Sequence, residues 1–318
     1  VAYVRHAFDP ERAPIGALSH EGALKKLCVL LREHTGHDFS QYKETTLVRR
    51  VDRRMTLHQI NAVEDYLRYA RDHPAEVQTL FQDLLIGVTH FFRDREAFHV
   101  LEKDVIPRLL ADKRPHEAVR AWVCGCSTGE EAYSVAMLLY EQVAELKRPF
   151  NIQVFATDID RQAIEQARAG VFPTSITADV SPERIARFFH HDPQAGTYRI
   201  QKHIRDLLVF SEQDLIRDPP FSRLDFISCR NVMIYLNADA QRKLVSLFHY
   251  ALQPHGVLFL GTSETVGDAG RQFRVIDRKW KLYERLPGEG VLRPLLASGA
   301  GAATDADARE VAHDVQPG

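Results

Sequence analysis

The 318-residue chain has few cysteines, little net charge and no long hydrophobic run. Four cysteines make a poor disulfide framework at this length, so we expect buried thiols in a reducing cytoplasm. A formal net charge of −2 gives no support to bulk binding of nucleic acid or a membrane surface. No apolar run approaches the roughly 20 residues that cross a bilayer, and no signal-peptide pattern is present. These absences predict a cytoplasmic globular protein.

A metal site is not expected either. Cys124 and Cys126 have no second cysteine pair at zinc-finger spacing, and the fifteen histidines are scattered. The remaining composition, 45% hydrophobic and 26% charged, is ordinary for a folded protein with a sizeable core.

Composition and periodicity divide the chain into five segments. The first residue is Val1 and both ends resemble linkers, so we expect a fragment or a processed chain. Helical spacing of apolar residues gives way to alternating strands and helices, which favours a mostly parallel sheet covered on both faces. We predict a linker or tail over 1–19, a helical domain over 20–95, a connecting helix broken near Pro107 over 96–117, a sheet domain over 118–286, and a disordered tail or linker over 287–318. Residues 196–200 and 206–210 are predicted to form an inserted hairpin, in a β subdomain over about 192–210.

The segment from Val119 to Glu131 indicates a nucleotide site. An apolar strand breaks at Gly125 and a helix follows, and a second apolar strand ends at Asp158. An acid at the tip of that strand can hold the two hydroxyls of a ribose, so the ligand should carry adenosine. The loop reads G-x-S-x-G and not G-x-G-x-x-G, which disfavours a dinucleotide-dependent oxidoreductase.

Two further strand ends carry polar residues. Ser211–Leu215 follows one strand, and Arg230 and Asn231 follow another before an apolar turn that leads to Tyr235. Carboxyl ends of parallel strands form the ligand crevice of an open sheet, so these side chains should lie beside Asp158.

The helical domain contains a basic stripe. Arg49 and Arg53 lie four residues apart on one helix face, with Arg50 and Arg54 beside them. The stripe is either a solvated face or a docking surface for an acidic partner. Nucleic acid is a weaker option, because no aromatic residues interleave with these arginines.

The sequence Gly87-Val88-Thr89-His90-Phe91-Phe92-Arg93-Asp94 lies where the helical domain meets the sheet domain. It is either a packed corner or a lid over the ligand, with Thr89 and Arg93 reaching polar groups.

Five motifs in order resemble the CheR family of chemotaxis receptor methyltransferases. They are S-T-G-E-E, A-T-D-I-D, D-P-P-F-S-R-L-D, C-R-N-V-M-I-Y and H-G-V-L-F-L-G-T-S-E, and the resemblance covers about residues 22–286. In detail the chain is most similar to the methyltransferase segment of proteins that fuse a CheB-type esterase, a CheR-type domain and sensory modules. The resemblance implies an α/β fold: a Rossmann-like class I S-adenosylmethionine-dependent methyltransferase domain, an all-helical N-terminal domain and an inserted antiparallel β subdomain.

The resemblance also implies the activity, methylation of glutamate carboxylates on chemoreceptor helices. The cofactor is S-adenosylmethionine and the products are glutamyl methyl esters and S-adenosylhomocysteine. The partners are cytoplasmic receptor helices, docked on Arg49, Arg50, Arg53 and Arg54, and the enzyme is expected to be a monomer. The alternative is a non-catalytic sensor or adaptor domain that binds the same cofactor.

Site residues are implied by the same likeness. Arg93 and Tyr235 are expected at the reacting groups, and Asp158 on the ribose. The other cofactor-binding residues are expected to be Gly87, Thr89, Gly125, Glu130, Asp214, Leu215, Arg230 and Asn231. Gly87 stands where the family often has Asn, so one cofactor hydrogen bond is expected to be absent or supplied by backbone. Asp214 also stands where Asn is frequent, and a carboxylate cannot donate to an adenine acceptor. The turn over 192–196 looks short, which favours a member that does not depend on a receptor C-terminal peptide.

Overall fold

A computed structural model of the chain describes residues 17–111 and 113–287. The predicted linker over 1–19 lies outside this part except for its last three residues, which begin the first helix. The predicted tail over 287–318 lies outside it after residue 287.

Four helices form the N-terminal bundle. Leu47, Val51 and Met55 recur at helical spacing and are buried, and Pro74 takes the first-turn position where its missing N–H costs nothing. The bundle core also contains the fully buried side chains of Phe39 and Tyr66. The helices are α1 (Ala17–Thr35), α2 (Glu44–Leu57), α3 (Val63–Asp72) and α4 (Pro74–Leu84).

The connecting helix is continuous, so the predicted break near Pro107 is wrong. Helix α5 (Arg95–Val100) passes through a π-helical turn (Leu101–Val105) directly into α6 (Ile106–Ala111). In a regular α-helix a proline ring clashes with the carbonyl group four residues before it. The wider π-helical turn moves that carbonyl group away from the ring, so the helix continues through Pro107.

A seven-stranded sheet forms the centre of the second domain, with strand order β6-β2-β1-β7-β8-β10-β9. The first five strands in this order run parallel, and β10 and β9 are antiparallel additions at one edge. This confirms the predicted Rossmann-like fold. The strands of this sheet are β1 (Ala118–Cys124), β2 (Asn151–Asp158), β6 (Leu208–Glu212), β7 (Leu224–Cys229), β8 (Leu252–Leu260), β9 (Phe273–Asp277) and β10 (Leu282–Arg285).

Helices cover both faces of the sheet, and on each face a separate cluster of buried apolar residues lies between the helices and the strands. The strand β7 is buried along its whole length, as expected for a central parallel strand. Within the described residues no helix combines the length and the apolarity that a membrane span requires. The helices are α7 (Glu130–Leu146), α8 (Arg161–Ala169), α9 (Pro182–Phe188), α10 (Lys202–Arg205) and α11 (Ala238–Ala251).

A separate antiparallel sheet has the order β3-β5-β4, from β3 (Val171–Pro173), β4 (Phe189–Asp192) and β5 (Thr197–Ile200). The predicted pairing of 196–200 with 206–210 is wrong. Strand β5 pairs with β3 and β4, whereas β6 pairs in parallel with β2. The helical turn α10 separates the two segments, so no tight hairpin can join them.

The helical bundle is tied to the sheet domain by backbone pairing. Tyr42 and Leu236 form an isolated antiparallel bridge. On either side of it, Lys43 N donates to Tyr235 O at 2.8 Å and Asn237 N donates to Gln41 O at 2.9 Å. The bundle therefore forms one wall of the crevice at the carboxyl edge of the sheet.

Candidate functional site

The cleft lies where four parallel strands end. Cys124 is level with Thr157 on one side and Cys229 on the other, and Cys229 is level with Leu260. The loops after β1, β2, β7 and β8 therefore emerge side by side. The predicted site residues that line this cleft are Gly87, Thr89, Arg93, Gly125, Asp158, Asp214, Leu215, Arg230, Asn231 and Tyr235.

The loop after β1 makes the floor. Gly125 has φ +64°, and a Cβ added there would lie 2.4 Å from Val232 Cγ2. Only glycine satisfies both the left-handed backbone and this close approach. The strand end thus turns sharply beneath the cleft.

Asp158 closes the same loop from the end of β2. Its Oδ2 accepts from Ser127 N at 2.7 Å and its Oδ1 from Asp160 N at 2.9 Å. Burial raises the pKa of this carboxyl, while the backbone donors oppose the shift. Each carboxylate oxygen has a second lone pair, so the group can still accept hydrogen bonds from ribose hydroxyls.

Arg230 lies in the wall of the cleft, where its buried guanidinium pairs with two carboxylates that are more exposed. Its side chain is 1% exposed, with Nη1 2.9 Å from Glu131 Oε2 and Nη2 2.5 Å from Asp94 Oδ2. The guanidinium carbon also lies 4.5 Å from the ring centre of Phe259. Because these protein groups engage its Nη atoms, Arg230 supports the loop after β7.

Glu131, which the sequence did not single out, lines the cleft, and Glu130 is not among the lining residues. The Glu130 carboxylate accepts from Thr128 Oγ1 at 2.6 Å, and burial raises its pKa. Glu131 accepts from Ser228 Oγ at 2.6 Å as well as from Arg230. Consecutive helical residues point about 100° apart. The sequence S-T-G-E-E therefore could not show which acid faces the sheet edge.

Two buried amide oxygens that line the cleft have no protein partner. Asn231 Oδ1 and Gln213 Oε1 are both unpaired, although Gln213 Nε2 donates to Pro219 O at 2.9 Å. Buried polar atoms are normally satisfied, so orphaned acceptors in a cleft point to donors on a ligand. An adenine amino group and an amino-acid ammonium group are donors of this kind.

The helical bundle supplies the opposite wall, through Asp38, Tyr42 and residues 84–86. Burial raises the pKa of Tyr42, and the nearby charges of Asp214 and Asp158 act in the same direction. The phenol therefore stays protonated beside two carboxylates. The sequence motifs gave no sign of this contribution, because Tyr42 is brought to the site by the backbone bridge to Leu236.

The segment 87–94 is a packed corner with one polar edge, and the lid interpretation of its phenylalanines is wrong. Phe91 and Phe92 are buried at 1% and 5% exposure. Arg93 Nη1 donates to Val88 O at 3.0 Å, which holds the corner beside the cleft. A Cβ at Gly87 would lie 3.2 Å from Ser127 Oγ, so glycine lets this segment approach the β1 loop closely.

The four arginines that the sequence predicts as docking residues differ in exposure. Arg49 and Arg53 are exposed and Arg50 is half-buried. Arg54 is 13% exposed and pairs with the buried Glu76, with Nη2 2.6 Å from Oε2 and Nε 2.8 Å from Oε1. The inclusion of Arg54 in the docking surface is therefore corrected: its guanidinium joins α2 to α4.

Two family models match consecutive parts of the chain. The CheR methyltransferase all-alpha domain matches residues 22–85, and the CheR methyltransferase SAM binding domain matches residues 87–282. The chain belongs to the CheR methyltransferase family. Its cofactor is S-adenosylmethionine, which the orphaned acceptors and the acid at the end of β2 fit.

Named relatives of the CheR family differ in length. An uncharacterized 104.1 kDa protein of Rhodobacter capsulatus is 36% identical over 290 residues, which are 90% of this chain and 30% of that protein. The chain thus spans less than a third of that relative. The chemotaxis protein methyltransferase of Salmonella typhimurium is 30% identical over 78% of this chain and 85% of its own length. Chemotaxis protein methyltransferase 2 of Pseudomonas aeruginosa is 32% identical over 76% and 86%.

Proposed function

We propose that this chain methylates glutamate side chains on the cytoplasmic helices of chemoreceptors, as a protein-glutamate O-methyltransferase. The observation that carries the proposal is the backbone pairing of Lys43 with Tyr235. It makes the basic helix α2 start at the loop that lines the cofactor cleft. A receptor helix docked on α2 would therefore lead directly to the cleft.

The chemistry needs positioning more than proton transfer. The cofactor supplies an electrophilic methyl group on a sulfonium, and a glutamate carboxylate is already a nucleophile at neutral pH. A carboxylate oxygen forms the new bond to the methyl carbon while the carbon–sulfur bond breaks. The electron pair of the broken bond stays on sulfur. Alignment of this kind can contribute about 7–11 kcal/mol to lowering the barrier.

We assign the orienting roles to Arg93 and Tyr235, which both line the cleft. Arg93 uses one nitrogen to hold Val88 O, and its other N–H groups are available to a carboxylate. Tyr235 lies in a short 3₁₀ turn (Met233–Tyr235), where it would shape the pocket around the transferred methyl group. Thr89, Asp214 and Leu215 remain proposed cofactor contacts.

Arg49, Arg50 and Arg53 are the proposed receptor-docking residues, because acidic receptor helices complement their charge. We further propose a cytoplasmic enzyme whose receptor binding does not need a C-terminal peptide, since only Pro193–Gly196 separates β4 from β5. A CheB-type esterase and sensory domains in the same polypeptide fit the great length of the Rhodobacter relative.

The test is transfer of tritiated methyl from S-adenosylmethionine to membranes that contain a methyl-accepting receptor, followed by base-labile release of methanol. Wild type should transfer label, and Arg93→Ala should lose most of the rate. Lys202→Ala, on α10 at the amino end of β6 and away from the cleft, is the matched control and should retain it. Cofactor binding without transfer to any receptor would contradict the proposal and favour the sensor alternative.

A further inference from the structure

Glu264 lies after β8 in the sequence G-T-S-E and is 4% exposed. Four backbone N–H groups donate to its carboxylate. Oε1 accepts from Val232 N at 3.0 Å and Ile234 N at 3.2 Å. Oε2 accepts from Gly261 N at 2.7 Å and Asn231 N at 3.0 Å. Within residues 17–111 and 113–287 the carboxylate forms no ion pair, so these backbone groups are what holds it.

The backbone around Glu264 is shaped for this arrangement. Asn231 has φ +61°, in the left-handed region that asparagine adopts more readily than most residues, and the carboxylate satisfies the N–H groups that the turn exposes. A Cβ at Gly261 would lie 2.7 Å from Glu264 Oε2 and 2.9 Å from Asn231 N. Glycine at this point therefore lets the strand end, the loop and the carboxylate meet.

Burying a carboxylate is costly, and here three of its four donors belong to the segment that runs into Tyr235. The remaining donor, Gly261, lies at the end of β8. The carboxylate thus fastens the loop after β7 to the neighbouring strand, with Asn231 Oδ1 left for the ligand.

We propose that Glu264 is a positioning residue for methyl transfer. It fixes the backbone of residues 231–235, so that Asn231 and Tyr235 keep their places at the cofactor. The inference rests on the proposed function for its kinetic consequence, but its effect on cofactor binding does not depend on receptor methylation.

A buried carboxylate could instead serve stability alone, and Asp225, which differs from Glu264 in having a buried cationic partner, is the control for that role. Asp225 is 6% exposed, accepts from Arg120 N at 2.8 Å and Gln253 Nε2 at 3.0 Å, and pairs with Lys113 Nζ at 2.9 Å. It lies at the amino end of β7, on the opposite edge of the sheet from the cleft. Asp225→Asn should lower the melting temperature without moving residues 231–235.

The experiment compares Glu264→Gln, Glu264→Asp and Asp225→Asn with wild type. Glu264→Gln places an NH₂ donor against backbone donors, so we expect about a 100-fold fall in kcat, the cost of a misplacement of about 1 Å. The KM for receptor should stay within about twofold because α2 is unchanged. Affinity for S-adenosylhomocysteine, measured by calorimetry, should fall about tenfold, which corresponds to the loss of one hydrogen bond to the ligand. Glu264→Asp keeps the charge and should recover part of both losses.

Two outcomes would overturn the proposal. One is a Glu264→Gln protein whose kcat and product affinity match those of Asp225→Asn at an equal loss of melting temperature. The other is unchanged hydrogen exchange of amides 231–234 in Glu264→Asp, a measurement that remains possible if Glu264→Gln does not fold. If wild type transfers no methyl group, the proposed function fails, while product affinity and hydrogen exchange still test Glu264.

Discussion

The backbone N–H of Lys43, the residue that caps helix α2, donates to the carbonyl oxygen of Tyr235 at 2.8 Å. The basic helix and the loop that lines the cleft are therefore joined by main chain. Because the rise of an α-helix is 1.5 Å per residue, Arg49 and Arg53 lie about 9 and 15 Å along the axis from this junction. A long acidic helix could contact both while one of its glutamates reaches the cleft.

Reversal of charge at Arg53 should weaken receptor binding without harming chemistry. We expect Arg53→Glu to raise the KM for receptor membranes about tenfold at low ionic strength, with less effect at high salt because exposed charges are screened. The kcat and the affinity for S-adenosylhomocysteine should be unchanged. The measurement is the methyl-transfer rate against receptor concentration at two salt concentrations.

Lys202→Glu gives the control for a general effect of charge. It makes the same change of two charge units on α10, where the side chain is 79% exposed. Equal KM values for the two variants would rule out a docking role for Arg53.

A methyl group at Gly125 should collide with the loop after β7. We expect Gly125→Ala to lower the free energy of unfolding by about 3 kcal/mol, from strain at φ +64° and from overpacking against Val232. Adding Val232→Ala to Gly125→Ala should restore the part of the unfolding free energy that is lost to overpacking, but not the part lost to backbone strain. A double-mutant cycle from urea unfolding checks this, and additive single effects would show that the 2.4 Å contact is not the cause.

Removal of Arg230 should leave two carboxylates without their cation. We expect Arg230→Met to destabilise the protein by about 3–5 kcal/mol, since Glu131, which is only 12% exposed, would lose its cation and keep only the Ser228 hydroxyl as a donor. Arg161→Met, which breaks an exposed pair with Glu165, should change stability by less than about 1 kcal/mol. Urea unfolding of both variants provides the comparison, and a similar small loss in each would contradict a buried network.

Acid should weaken the helical bundle through Glu76. Burial raises the pKa of this carboxyl, but hydrogen bonds from Arg54, Tyr66 and His58 outweigh burial and hold the pKa below its ordinary 4.5. A lowered pKa in the folded state means that the stabilisation is fully present above pH 4.5 and is lost as the pH falls through the lower folded value.

The check is the free energy of unfolding of wild type and Glu76→Gln between pH 3 and pH 7 (about the range in which carboxyl groups titrate). The difference between the two proteins should shrink as the pH falls. A difference that is constant with pH would show that Glu76 has the same pKa in both states.

Much of the sheet could be predicted from local pattern. Buried parallel strands are short apolar runs, so the apolar segments that end before Gly125, at Asp158 and before Arg230 could be recognised as β1, β2 and β7. The polar residues that follow them share one edge because parallel strands must end together. Seven of the ten predicted site residues that line the cleft follow strand ends for that reason, whereas Gly87, Thr89 and Arg93 come from the segment before α5.

The errors arose where partners lie far apart in sequence. Strand β6 has no local feature that selects β2 as its partner over β5, and the pairing was decided by packing in the main sheet. Arg54 has the same sequence character as Arg53, but it meets Glu76, 22 residues later on another helix. Tyr42 enters the cleft only because two domains share a backbone bridge.

The sequence by itself determined the fold class, the glycine turn beneath the cleft and the strand ends that supply the cleft, because these depend on periodicity and on backbone conformations that few residues allow. Only the tertiary structure decided which of two adjacent acids faces the cleft, which arginines are available to a partner, and that Glu264 holds the loop of Asn231. Those assignments depend on contacts between segments that no local pattern relates, and the cost of burying unpaired charge selects them.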